Sequence, residues 1–149
     1  MAAKNIHYTL NKKTMAVQFF EDVQMIGIVS SVKDYQLCWH LNNSLGLHFT
    51  VNNELEIIWQ KNKRKYHFPM YEFRERDRFL AHYIYNTQHD GEYLLPEFKY
   101  FDFLWMMKGE KIERQEFESL MEAIRSINSV QLVTEMLVDK IQNKENLIF

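Results

Sequence analysis

The stretch Lys99-Tyr100-Phe101-Asp102-Phe103-Leu104-Trp105-Met106-Met107 decides the fold. In an extended chain every second side chain points to the same side, so Phe101, Phe103, Trp105 and Met107 face one way and Tyr100, Asp102, Leu104 and Met106 the other. Apolar residues on both sides predict a central strand over 99–107, covered by a layer on each face. Gly109 ends it. Downstream, Phe117, Leu120, Met121 and Ile124 stand at i, i+3, i+4 and i+7, which predicts an amphipathic helix over 112–126. Glu113, Glu116, Glu118 and Glu122 line its other faces and Arg125 lies near its end, the charge order that the helix dipole favours. Asn128-Ser129 breaks the helix. Val130, Leu132, Thr134, Met136 and Val138 then alternate with Gln131, Glu135 and Asp139, a strand over 130–138, with a helix as the alternative. Strand, helix and strand together would form a right-handed βαβ unit.

Upstream, Met15-Ala16-Val17-Gln18-Phe19-Phe20 and Met25-Ile26-Gly27-Ile28-Val29 are rich in β-branched and aromatic residues and read as two short strands, one bent strand or a hairpin. Ser31-Val32-Lys33-Asp34 has the spacing of a capping box, with Ser31 as N-cap and Asp34 reaching back. The helix it opens runs over about 32–45, with Tyr35, Cys38, Trp39 and Leu45 on or near one stripe, Leu37 and Leu41 beside it, and Gly46 as its stop. Leu55, Ile57 and Trp59 alternate with Glu54, Glu56 and Gln60, a half-buried strand. Lys61-Asn62-Lys63-Arg64 reads as a turn. Tyr66, Phe68 and Met70 follow in a strand that Pro69 confines to an edge or a bulge. Arg74-Glu75-Arg76-Asp77-Arg78 is a second turn, 79–86 a third strand, and Asp90-Gly91 closes the turn 87–91. Because successive hairpins alternate ends, turns 61–64 and 87–91 are expected at one end of the sheet. The expected fold is a single α+β domain over 1–149, a mostly antiparallel or mixed sheet of about six strands with two helices. The tail, ending in Leu147-Ile148-Phe149, is expected to tuck onto the body.

Composition narrows the function. The chain has 149 residues, 46% apolar and 26% charged, which suits one domain able to bury its own core. Eighteen basic residues against 20 acidic ones give a net charge of −2, and overall charge therefore offers no reason to expect a polyanion partner. One cysteine, Cys38, excludes an intramolecular disulfide. Lys12 and Lys13 interrupt the N-terminal segment before a signal-like apolar stretch can form, and the longest apolar run, Phe103 to Met107, is far short of a membrane span. A soluble cytoplasmic protein is the expectation. The four glycines are scattered, so no phosphate loop or dinucleotide fingerprint exists, and no G-x-S-x-G occurs. The six histidines form no H-x-x-x-H, and no metal or cofactor is expected.

Leu95-Pro96-Glu97-Phe98-Lys99-Tyr100-Phe101-Asp102-Phe103 resembles the signature of the IPExxxVDY family, small proteins of Bacteroidetes-type bacteria. Ile26-Gly27-Ile28, Ser30-Ser31, Lys33-Asp34-Tyr35, Leu37-Cys38-Trp39, Leu41-Asn42 and the end, Asn143 to Phe149, are similar to the same family, so the resemblance covers most of the chain. Pro96, Glu97 and Asp102 match the signature. Leu95, Phe101 and Phe103 replace its Ile, Val and Tyr, and the last change removes a phenol. The resemblance implies a bacterial cytoplasmic protein and brings no chemistry with it.

Asp102, flanked by apolar residues in the most buried-looking strand, is the carboxylate of most interest, as a general base or as an anchor for a backbone N–H, Tyr or Arg. Glu97 stands five residues away, so the two would face opposite ways, which disfavours an acid/base pair. Cys38 and His40 at i, i+2 do not face each other, and Cys38 reads as a core residue. Lys61, Lys63, Arg64 and Lys65 with Tyr66 and Phe68 behind them could grip single-stranded nucleic acid or form a solvated turn tip. The aromatic content of 15% is high; either it fills a large aromatic core, or some of it, such as Tyr71 and Phe73 on the face opposite Phe68 and Met70, is expected to stay exposed. The leading expectation is a non-enzymatic binding or adaptor protein, with a protein partner or a homodimer formed through a sheet edge or aromatic face. The alternatives are an enzyme or small-ligand binder centred on Asp102 and Glu97, and an RNA-binding module using 61–66.

Overall fold

The computed structural model describes residues 14–55, 57–61 and 63–149. In chain order the elements are helix α1 (described over 14–19), β1 (Gln24–Ser30), α2 (Asp34–Leu45), β2 (Thr50–Val51), β3 (Ile57–Lys61), β4 (Arg64–Phe68), β5 (Met70–Arg74), β6 (Ala81–Asn86), β7 (Gln88–His89), β8 (Glu92–Tyr93), a 3-10 turn at Pro96–Phe98, β9 (Phe103–Lys108), α3 (Arg114–Arg125) and β10 (Val130–Met136). Two further 3-10 turns, Val138–Lys140 and Lys144–Leu147, lead to the C-terminus. Six strands form one antiparallel sheet in the order β10-β1-β9-β6-β5-β2, and β3–β4 and β7–β8 are separate hairpins. The fold is α+β.

β9 lies inside the sheet between β1 and β6, and all of Phe103 to Met107 are buried. Phe103, Trp105 and Met107 join Ile26, Ile28, Ile84 and Val133 beneath the two helices, which contribute Leu37, Cys38 and Leu41 from α2 and Phe117, Met121 and Ile124 from α3. Leu104 and Met106 point to the other face. There Met25, Tyr83, Tyr85 and Met136 are covered by Ile57, Tyr66 and Phe68 of the β3–β4 hairpin and by Leu147 of the tail. A strand covered twice needs apolar residues at every position, which is the pattern the sequence shows there. β9 and β10 both run antiparallel to β1, so they are parallel to each other, and α3 makes the crossover between them with β1 inserted.

Several expectations are corrected. Residues 15–20 are not a strand: they are helical through 19, and the Phe20 N–H donates to the Ala16 carbonyl at 3.1 Å. Ala16 and Phe20 are buried while Met15 and Val17 are exposed, a spacing of four that overrides the β-propensity of the side chains. The described residues therefore hold three α-helices rather than two. Ser31 is not the cap of α2. The helix starts at Asp34 with Lys33 as N-cap, and Gln36 Oε1 accepts the Lys33 N–H at 3.0 Å. The cause lies one residue earlier: Ser30 is held in the sheet, its Oγ donating to the Ser129 carbonyl at 2.6 Å, so the chain cannot turn into a helix as early as Ser31. The inward stripe of α2 is also rotated, with Tyr35 and Trp39 outside, 56% and 61% exposed.

Pro69 falls in the break between β4 and β5, so β3–β4 forms a hairpin of its own instead of extending the sheet. Residues 99–102 precede β9 rather than belonging to it, which places Phe101 in the core face shared with Leu104. Tyr71 and Phe73 are half-buried against the helix-side core, and Phe73 stacks on His82 with ring centroids 5.3 Å apart. Asp90 and Gly91 both have positive φ, 52° and 81°, the geometry of a two-residue hairpin turn that favours Asp-Gly. Arg64 and Asp90 pair at 3.3 Å, so the tips of the two hairpins do meet. Among the described residues no helix is long and apolar enough to cross a membrane.

Candidate functional site

Several of the stretches that carry the family resemblance are joined to one another through Asp102 and Glu97. The pairing of β1 with β10 shifts register between Val29 and Ser30, and on the other side the ladder with β9 ends at Ile28 and Phe103, so the Ser30 N–H lies beyond it. Asp102 Oδ2 accepts that N–H at 2.8 Å, and the Asp102 N–H donates to the Ile28 carbonyl at 2.9 Å. Thr87 Oγ1 donates to the Phe101 carbonyl at 2.6 Å, and the Phe101 ring lies flat against Gly27 where a side chain would otherwise stand. Pro96 opens the short 3-10 turn, where a missing N–H costs nothing, and Glu97 follows it. Glu97 accepts the Asn143 N–H at 3.0 Å and the Asn143 Nδ2–H at 2.7 Å, which ties the C-terminal tail to the motif. Desolvation pushes the Glu97 carboxyl upward, but the hydrogen bonds from Asn143 outweigh it and hold the group below its usual range.

Of the two readings of Asp102, the structure shows the anchor for a backbone N–H, but the burial expected from its apolar neighbours is not found. Asp102 is exposed at the mouth of the strand, serving as the anchor for a backbone N–H. It borders a polar cleft of about 350 Å³ with Lys33, Asp34, Asn86, His89 and Lys99, and Glu97 is not on its wall. The two carboxylates are turned to different partners, and the structure does not bring them together. Asp34, read from sequence as part of the helix cap, instead accepts the Tyr35 N–H at 2.8 Å and the Asn86 Nδ2–H at 3.0 Å, so it bridges α2 to β6. The Cys38 thiol is buried, and burial together with the nearby Asp34 carboxylate pushes its pKa up to about 12, which leaves it protonated and unreactive.

The basic run sits at the tip of the β3–β4 hairpin. Lys63 and Lys65 are exposed, Arg64 is paired with Asp90 and lies over the Tyr66 ring at 5.5 Å, and only the backbone of Lys61 is described. Tyr66 and Phe68 are buried in the core and are not available to stack on bases. No group of three or more His, Cys, Asp or Glu that could hold a metal occurs among the described residues.

Two arrangements escaped the reading of the sequence. The first is a stretch of chain without formal charge. From Tyr35 to Asn53 the chain contains no Asp, Glu, Lys or Arg over 19 residues. This run builds the outer face of α2 and the edge strand β2, and it leaves Tyr35, Trp39 and Val51 in solvent. Val51 pairs with Tyr71 in register, and Tyr71 lies beside Asp34 and Tyr35, so the aromatic surface continues from the helix onto the sheet edge. Charge patterning, applied to that run, would have exposed it.

The second is a buried polar network on the helix side of the sheet. Trp105 Nε1–H donates to His82 Nδ1 at 3.0 Å, and His82 Nε2 meets Glu75 Oε2 at 2.7 Å. Arg78 grips both oxygens of Glu75, at 3.0 and 3.2 Å, and also reaches Glu116 of α3. Desolvation raises the Glu75 carboxyl, while Arg78 and His82 lower it by more, so it stays ionised. Glu75, Arg78 and His82 lie close together in sequence, but Trp105 and Glu116 reach them from distant elements, and no short motif announces the set. A comparison with protein-family models found none that matches the chain, and none of the curated proteins matches it.

Proposed function

We propose that the protein works by contact rather than by chemistry, and that the outer face of α2 with the edge strand β2 is where it pairs with a second copy of itself. The observation that supports this is the charge-free run from Tyr35 to Asn53, which holds a Tyr and a Trp out in water on one helical stripe. Loss of charge and enrichment in aromatics mark the cores of protein interfaces, and Trp and Tyr contribute most of the energy there. A two-fold interface sets the same patch against itself. A charged run would meet its own sign across the axis, whereas this run brings no Asp, Glu, Lys or Arg of its own. Among the described residues β2 is also the last strand of the sheet, an edge that a further strand could extend.

The other readings have less behind them. Acid/base work by Glu97 and Asp102 lacks a shared site, because each carboxylate is committed to a backbone N–H elsewhere. RNA binding by 61–66 would have to proceed without its aromatic partners. Membership of the IPExxxVDY family, with the bacterial cytoplasmic setting it implies, belongs to the same proposal and rests on the sequence resemblance.

Sedimentation velocity from about 1 to about 200 µM tests the pairing. The wild type is expected to shift from monomer to dimer with concentration, and Trp39→Glu to weaken the dimer by at least about tenfold while keeping its circular dichroism. A wild type that stays monomeric throughout, or a dimer unaffected by both Trp39→Glu and Val51→Glu, would refute it.

A further inference from the structure

The His82 network has a property that follows from donor and acceptor chemistry alone. The Trp indole nitrogen can only donate. His82 Nδ1, at 3.0 Å from it, must therefore carry the lone pair, and the proton of the neutral ring sits on Nε2, where it donates to Glu75. Both ring nitrogens are occupied and the residue is buried, so His82 is not a general base. Its protonation would place two N–H groups face to face with Trp105, which is fully buried and has its indole edge packed against Phe49 at 5.0 Å.

We propose that His82 is an acid-sensitive latch: a proton from solvent arriving at Nδ1 converts the acceptor of the Trp105 N–H into a second donor, and the join between sheet, β5–β6 turn and α3 opens. The groups around the ring set the balance. Phe73 of β5 stacks on one side, with His48 behind it at 6.1 Å between centroids. From the turn come Glu75 and Arg78, and from α3 comes Glu116. Burial and the Arg78 charge oppose the imidazolium, whereas Glu75 and Glu116 favour it. Burial is the largest of these influences, and the His82 pKa lies below its usual value. Glu75 also lines a cleft of about 660 Å³, together with Phe73 and Arg74, so the latch borders that cleft.

The test follows the indole N–H signals of the wild type by NMR from pH 7 down to pH 5. The Trp105 resonance is expected to move or broaden with one midpoint below about 6.5, while that of exposed Trp39 stays in place. Through linkage the folding constant should fall by up to about tenfold per pH unit over the same range. His82→Gln offers one acceptor and one donor without titrating and is expected to remove that acid dependence. A Trp105 signal unmoved to pH 5, or a folded His82→Gln variant with the acid dependence of the wild type, overturns the proposal. If His82→Gln fails to fold, the titration of the wild type decides by itself.

Discussion

Gly27 is the position at which the packing of this sheet can be measured most directly. It lies in β1 opposite Leu104 on one side and Thr134 on the other, with the Phe101 ring over it. A Cβ at Gly27 would stand 2.6 Å from two carbons of that ring and 2.8 Å from a third. Carbon contacts settle at about 3.5–4.0 Å, so the ring must retreat by roughly 1 Å. It has little room to do so: it is 1% exposed, its carbonyl is held by Thr87, and Asp102 next to it is tied to Ile28 and Ser30. Overpacking of this kind costs about 1–3 kcal/mol. The conformational freedom lost with a strand glycine returns about 0.5–1 kcal/mol. Gly27→Ala should therefore destabilise by about 1–2 kcal/mol in urea unfolding, with an unchanged m-value. Phe101→Ala alone should cost about 3–5 kcal/mol through the cavity it leaves. In the double variant the new methyl enters that cavity instead of meeting a ring, so its cost should fall short of the sum by about 1–2 kcal/mol. A double variant that is additive within about 0.5 kcal/mol would show that the ring and the glycine do not press on each other, and the packing argument would fail.

Two further outcomes follow from the same region and from α2. Glu97→Ala should free the tail at Asn143 and cost about 1 kcal/mol at pH 7, seen as faster proteolysis at the C-terminus. Because the folded Glu97 carboxyl lies below its usual value, its contribution is present above about pH 4.5 and is lost as pH falls through the lowered folded value. The stability gap between variant and wild type should thus close on acidification, and a gap that widens would contradict this assignment. Cys38 should react with a disulfide reagent at pH 8 at least about 100-fold more slowly in the folded protein than in urea, and rapid labelling of the folded chain would rule out a sealed thiol.

The parts of the fold that could be read from sequence are those where one period dominates. The apolar run of β9, the three-and-four spacing of α3 and a strand after it are all found, but β9 starts at Phe103 rather than at 99, and in β10, which ends at Met136, Val133 is buried and Leu132 exposed, against the expected alternation. The errors arose where two signals competed. In 15–20 the β-branched and aromatic side chains spoke for a strand while the four-residue spacing of Ala16 and Phe20 spoke for a helix, and burial of that spacing prevailed. At the start of α2, Ser31 had the right type for a cap, but a long-range bond from Ser30 to Ser129 kept the chain extended past the point where a local cap could act. Asp102 looked buried because of its neighbours in sequence, whereas the strand begins one residue later and leaves it at the edge. The His82 network was illegible for a different reason: its partners come from β6, β9, the β5–β6 turn and α3, and only the folded sheet makes them adjacent.

The motif residues explain why function should be sought elsewhere on the molecule. The ladder between β1 and β9 ends at Ile28 and Phe103 and leaves the Ser30 N–H beyond it, and a buried donor of that kind needs an acceptor. Asp102 supplies one from the adjoining strand, Glu97 does the same for the Asn143 N–H, and Gly27 makes room for the ring that lies between them. Each residue type is accounted for by a bond or a contact that closes the fold across more than 40 residues of chain, Ser30 to Asp102 and Glu97 to Asn143. Side chains committed in this way are poorly placed to bind and release a substrate, since releasing them would loosen the ends of β1 and the tail. The exposed aromatics of α2 carry no such commitment. Tyr35 and Trp39 are more than half exposed, and covering them with another apolar surface would gain about 25 cal/mol for each Å² removed from water. A fold that fixes its signature residues internally and leaves a Trp uncovered on a charge-free helix has its unspent binding energy on that helix.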